Sequence, residues 1–304
     1  MKRPLSLALI LILALALVAC GSLTSAGAGT TTAVSTAESP DASSTMASPT
    51  GEASPGGAAT APKINGNLTI FAAASLTEAF TELKSEIEAA NPGTKITLNF
   101  AGSSALRTQL LQGAQADAFA SADTVNMAPV VQAGDVSGEP SIFAQNRLVI
   151  VVPANNPGHV NSVKDLANSG LKLVLAQEQV PVGNYARESL DKLSADPTYG
   201  SDFKAKVLAN LASNELNVKD VLAKVQLGEA DAGIVYATDA AAADQTKVKT
   251  IDIPDQFNII AQYPIAVVKS GANPDGAKAF IDELLSPAGQ SIMAKYGFIA
   301  PPAH

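Results

Sequence analysis

From Asn67 onward the chain alternates short apolar runs with amphipathic stretches, and this alternation narrows the choice of fold more than any other feature. Leu68–Ala72, Lys95–Phe100 and Ala116–Ala120 read as strands, with helices over Leu76–Ala90 and Ala105–Gly113 between them. That is the βαβαβ order of a parallel sheet covered by helices. Arg147–Val152 reads as a strand closed by Pro153, and a second set follows: strand Lys172–Ala176, helices Tyr185–Leu193 and Val218–Leu227, strand Ala232–Tyr236. The strand Ile259–Val268 and the helices Pro274–Leu285 and Pro287–Tyr296 have no sheet of their own and are expected to return to the first set. The pattern predicts two α/β lobes joined by crossing segments near Gln145–Val149 and Asp255–Tyr263. A ligand then belongs between the lobes, where loops at the carboxyl ends of strands enter helix N-termini.

The N-terminus is of a different kind. Lys2 and Arg3 precede an apolar run from Leu5 to Ala19, which reads as a signal peptide over residues 1–19. The sequence Leu17-Val18-Ala19-Cys20-Gly21 resembles a bacterial lipobox, which implies cleavage before Cys20 and a lipid on its sulfur, anchoring the mature chain to the outer face of the cell membrane. Residues 21–62 hold 36 Ser, Thr, Ala, Gly or Pro out of 42, too little apolar surface to offset the entropy of ordering. Residues 20–62 are therefore expected to form a disordered, lipid-anchored stalk. The domain expectation is a first lobe from 63–146 and 259–304, and a second lobe from 147–258.

Charge and cysteine content exclude several classes. With 28 acidic against 20 basic residues the net charge is −8, the wrong sign for neutralising nucleic-acid phosphates. One Cys and two His cannot build a disulfide framework or a Cys/His zinc site.

Five points stand where a ligand would be met. Ser75, with Glu78 three residues on, has the spacing of a capping box before a helix. Gly102-Ser103-Ser104 opens the next helix with two hydroxyls, and Pro181-Val182-Gly183 turns the chain into another. Asn217 is the expected N-cap of a helix whose first residue is Val218, and Tyr236 ends a strand. Singly, each Ser or Asn is ordinarily just a cap. Together, several helix N-termini converging on one cleft bind an anion without a cationic side chain, because their N–H groups are unpaired and carry partial positive charge. That reconciles an anionic ligand with an acidic chain, since distant charges are screened.

The strings FAAASLTEAF, NFAGSSALRTQLLQGAQADAFASAD, VPVGNYARESL, NVKDVLAKVQLGEADAGIVYATDA, YPIAVV and KYGF resemble the periplasmic molybdate-binding proteins of molybdate ABC importers, over about Leu68 to Phe298. The resemblance implies a two-lobe periplasmic-binding-protein fold of type II, each lobe a mixed sheet flanked by helices, with two crossing hinge segments. It also implies molybdate or tungstate as the ligand, no cofactor, no direct metal ligand, and an ABC-importer permease as partner. Carried over position by position, the oxyanion contacts fall on Ser75, Ser103, Val182, Val218 and Tyr236: hydroxyl and backbone N–H from the serines, backbone N–H from the valines, O–H from the tyrosine. Family members often have Ala or another small residue where this chain has Val182, a change that leaves the backbone contact in place. A monomeric, extracytoplasmic, non-enzymatic receptor is expected.

Other readings are weaker. Within the same class the runner-up ligand is another oxyanion, sulfate or thiosulfate. Ser-x-x-Lys occurs at Ser169/Lys172, Ser189/Lys192 and Ser201/Lys204, but there is no Gly-x-Ser-x-Gly, and only His159 and His304 could act as a histidine base, so a serine hydrolase is disfavoured. Asp117, Asp123 and Glu139 lie near loop ends and read as caps or solvated groups rather than metal ligands. Asp123 is expected to order the residues behind the site. Tyr185, Tyr263 and Phe298 read as core aromatics, and Arg107 and Arg187 as surface residues.

Overall fold

The computed structural model describes residues 64–302; the signal peptide read over 1–19, the anchor Cys20 and the stalk over 20–62 lie outside the described residues. The first sheet is built from β1 (Asn67–Ala73), β2 (Lys95–Ala101), β3 (Ala118–Ala120), β4 (Val136–Asn146) and, from much later in the chain, β10 (Ala261–Val268), in the order β2-β1-β3-β10-β4. β1 runs parallel to β2 and β3, and β10 lies antiparallel between β3 and β4. The second sheet has the order β7-β6-β8-β5-β9, from β5 (Leu148–Pro153), β6 (Leu173–Ala176), β7 (Leu211–Glu215), β8 (Ala232–Tyr236) and β9 (Val248–Asp252). β6 is parallel to β7 and β8, whereas β5 is antiparallel to β8 and β9. Both sheets are mixed and flanked by helices, the two-lobe α/β architecture expected.

The central strands are buried on both faces, which is why they read as continuous apolar runs: every residue of β3, β5, β6 and β8 is buried. In the first lobe, Phe80 of α1 (Thr77–Ala90) meets Phe143 of β4 and Phe280 of α8 (Pro274–Leu285), with ring centroids 5.8 and 5.7 Å apart. The chain passes between lobes at Arg147 and again after β9. Asn258 ties the two crossings: its Oδ1 accepts from the Leu148 N–H at 3.0 Å and its Nδ2 donates to the Leu148 carbonyl at 2.9 Å.

Several elements escape the sequence pattern. α2 (Ser103–Leu111) and α4 (Pro181–Ala195) begin earlier than the apolar periodicity indicates, at Ser103 and at a proline that suits the first helical turn. α3 (Thr124–Gln132) contains Pro129, and β4 contains Gly138 and Pro140, residues that argue against helix and strand respectively. β4 is an edge strand with irregular register against β10, where proline is tolerated. The short helix α5 (Phe203–Ala209), β7 and the edge strand β9 are half polar and carry little periodic signal.

Candidate functional site

The five residues singled out by sequence converge on one cavity between the lobes. From the first lobe come Ser75, in a 3₁₀ turn (Ala74–Leu76) directly after β1, and Ser103, the first residue of α2 behind an extended Gly102. From the second come Val182 at the second position of α4, Val218 at the first position of α6 (Val218–Gln226), and Tyr236 at the end of β8. The N–H groups of Ser103, Val182 and Val218 belong to first helical turns and have no partner within their helices. Asn217 caps α6 as its spacing predicts, its Oδ1 accepting from the Asp220 N–H at 3.1 Å, which fixes Val218 as the residue that opens into the cavity.

The cavity encloses at most about 200 Å³ of empty space, below the roughly 300–1,000 Å³ that holds a drug-sized ligand. The remaining lining is Ala73, Ala74, Gly102, Ala122, Val180, Pro181 and Asn217, so no charged side chain reaches it. The fitting ligand is one compact group.

Neighbouring bonds dispose the hydroxyls as donors. Ser103 Oγ accepts from the Ala122 N–H at 3.0 Å, leaving its proton for the cavity. Ser75 Oγ lies 3.0 Å from Tyr263 Oη, which takes a longer 3.4 Å bond from Asn146 Nδ2; with the tyrosine proton directed to Ser75, the serine proton is free to point inward. Tyr236 is 1 % exposed and its hydroxyl has no partner in the protein, although a buried phenol ordinarily finds one. Burial pushes the Tyr236 and Tyr263 phenols well above the ordinary value, so both remain protonated.

Two local readings need correction, and a third gains a polar role. Ser75 caps no helix: it sits inside the 3₁₀ turn, α1 begins at Thr77, and Glu78 is drawn away to Lys219. Arg187, read as a surface residue, is half-buried and engaged: its guanidinium donates to the carbonyls of Ala176 and Gly183 and to Asn214 Oδ1, stapling the first turn of α4 to the end of β6, and burial lowers its pKa. Tyr263 is a core aromatic with a polar task, since its hydroxyl holds Ser75. Asp123 does order the wall behind the site: it caps α3 by accepting from the Asn126 N–H at 2.8 Å, next to the Ala122 that contacts Ser103, and burial raises its pKa. Asp117 accepts from the backbone N–H groups of Thr69 and Asn273, and no group of three metal-ligating side chains occurs among the described residues.

Sequence reasoning missed the contacts across the cleft. Lys219 of α6 places Nζ 2.8 Å from both carboxylate oxygens of Glu78 in α1. On its other side Nζ is 2.9 Å from Asp239 Oδ1 in α7 (Ala237–Ala242), a second ion pair. Burial raises the Asp239 carboxyl to about 6, and Lys219 restrains the rise. Burial alone would lower Lys219, but Asp239 and Glu78 outweigh it and its pKa stands above the ordinary lysine value. One signal was present: a lysine in the first turn of a helix opposes the dipole and calls for carboxylate partners. Asn126 Nδ2 makes a second bond across the cleft, to the Gln179 carbonyl at 3.3 Å.

Two lobes closed on a small, uncharged, donor-lined cavity define a receptor for a compact anionic solute. The chain belongs to the bacterial extracellular solute-binding protein family, whose model matches residues 68–299. It is 41% identical over 235 residues to the molybdate-binding protein ModA of Mycobacterium tuberculosis, covering 77% of this chain and 85% of the relative. Among solved structures, the substrate binding domain assigned to a molybdenum ABC transporter of Clostridium difficile is 32% identical with a TM-score of 0.58, covering 78% of this chain and 99% of that one. The periplasmic molybdate-binding protein of Azotobacter vinelandii, at 20% identity and a TM-score of 0.66 over 77% of this chain and 100% of that one, shares the fold.

Proposed function

We propose that this chain captures molybdate, or tungstate of the same shape and charge, and delivers it to an ABC-importer permease. The observation that carries this reading is the Tyr236 hydroxyl: buried, protonated, without a protein partner, and lining an uncharged cavity. The bound oxyanion accepts from the hydroxyls of Ser75, Ser103 and Tyr236 and from the N–H groups of the two serines, Val182 and Val218. Phosphate, partly protonated near neutral pH, needs an acceptor, and a cage that meets the ligand with N–H and O–H donors disfavours it. These seven charge-assisted bonds, at roughly 1.5–3 kcal/mol each, cover the ~8–12 kcal/mol of a micromolar to nanomolar complex, with desolvation and closure taking the difference. The relatives named for molybdate support the choice among oxyanions.

The ligand leaves unchanged and no catalytic step is assigned. The receptor works outside the cytoplasm as a monomer, held to the membrane through a lipid on Cys20, with 63–146 and 259–304 moving as one lobe against 147–258. To test the ligand, the protein is equilibrated with equal molybdate, tungstate, sulfate and phosphate, desalted, and analysed for molybdenum, tungsten, sulfur from sulfate and phosphorus. Molybdenum or tungsten near one per chain is expected, and retained sulfate with neither metal contradicts the reading. Intact mass of the membrane-extracted protein tests the anchor: a diacylglycerol adduct on Cys20 is expected, and an unmodified N-terminus refutes it.

A further inference from the structure

We propose that Lys219 is a positioning residue whose ion pair with Glu78 latches the two lobes over the bound oxyanion and sets how long it stays. This rests on the oxyanion-receptor reading and adds to it a determinant of release.

Lys219 contacts no cavity surface; it bridges the walls. Its Nζ reaches both Glu78 oxygens at 2.8 Å in the first lobe and Asp239 Oδ1 at 2.9 Å in its own. Each member rides beside a cavity donor: Lys219 follows Val218, Glu78 lies three residues after Ser75, and Asp239 three after Tyr236. Asp239 is 1 % exposed, so it ties the ammonium to the second lobe wherever the first lobe moves. Opening the cleft separates Lys219 from Glu78 and leaves Lys219 beside Asp239, so the Glu78 pair is a property of the closed form.

The Lys219 and Glu78 side chains are 27% and 37% exposed. A pair so placed is partly screened and gives a moderate gain. The gain arises after encounter, so it falls on dissociation rather than association.

The test follows radiolabelled molybdate leaving the full chain during a chase with excess unlabelled molybdate, for wild type, Glu78→Gln, Lys219→Met and Lys219→Arg. Glu78→Gln decides, because it removes only the bond across the cleft and leaves the Lys219–Asp239 contact intact. Dissociation about three- to fivefold faster in Glu78→Gln and Lys219→Met is expected, with association within about twofold of wild type and Lys219→Arg restoring slow release. The unfolding midpoint of ligand-free Glu78→Gln should equal that of wild type, as a merely structural ion pair would not allow. Unchanged dissociation in Glu78→Gln, with wild type retaining the label, overturns the latch. Wild type that retains no label overturns the receptor reading itself.

Discussion

The Ser103 hydroxyl accepts the Ala122 N–H at 3.0 Å, while the Tyr236 hydroxyl, across the same cavity, has no protein partner. The two donors therefore differ in what the protein loses without them. Ser103→Ala removes a bond to the oxyanion and orphans a buried N–H, so affinity should fall about 10–100-fold and stability by roughly 1–3 kcal/mol. Tyr236→Phe should cost a similar factor in affinity with no loss of stability. Calorimetric titration and urea unfolding of both variants check this; a stability loss in Tyr236→Phe without an affinity loss would show the phenol to be structural.

Gly102 faces the Leu216 carbonyl of the opposite lobe so closely that a Cβ would overlap it. Its φ of −60° suits any residue, so Gly102→Ala should fold normally yet resist closure. Small-angle scattering should show wild type contracting with molybdate and the variant failing to contract, with affinity reduced at least about tenfold. Equal contraction and equal affinity would refute close packing at this point.

Asp239 makes stability depend on pH. The folded protein keeps its proton to about pH 6, whereas an unfolded Asp releases it near 3.9. More protons are bound in the folded state within that window, so this carboxyl's contribution to stability is complete below about pH 4, declines as pH rises toward 6, and is lost above. The decline is on the order of 2–3 kcal/mol. Subtracting the pH profile of Asp239→Asn from that of wild type, both by urea unfolding, should reveal that slope; parallel profiles would contradict it.

What the sequence disclosed followed from local physics. Asn217 before the periodic apolar face of Val218, Val221, Leu222 and Val225 marks a helix start, and the structure keeps that register. The apolar run ending at Tyr236 places another cavity residue in the same way, whereas Pro181-Val182-Gly183 marks a turn into α4 whose helical start at Pro181 precedes the periodic face read from Tyr185. The failures are tertiary. Ser75 and Glu78 have the spacing of a capping box, yet their partners Tyr263 and Lys219 lie 188 and 141 residues away and override it. Arg187 sits where a surface helix position is expected, but its guanidinium has two backbone carbonyls to satisfy behind the site. Strand β4 was hidden by Gly138 and Pro140, which an edge position permits.

The proposed function requires a cage of neutral donors to select a proton-free tetrahedral dianion by size. Isothermal titration with molybdate, tungstate, sulfate and phosphate measures that selection. Molybdate and tungstate should bind with similar micromolar to nanomolar affinity, sulfate at least about tenfold more weakly, and phosphate not measurably. Sulfate or phosphate binding as tightly as molybdate would rule out such selection.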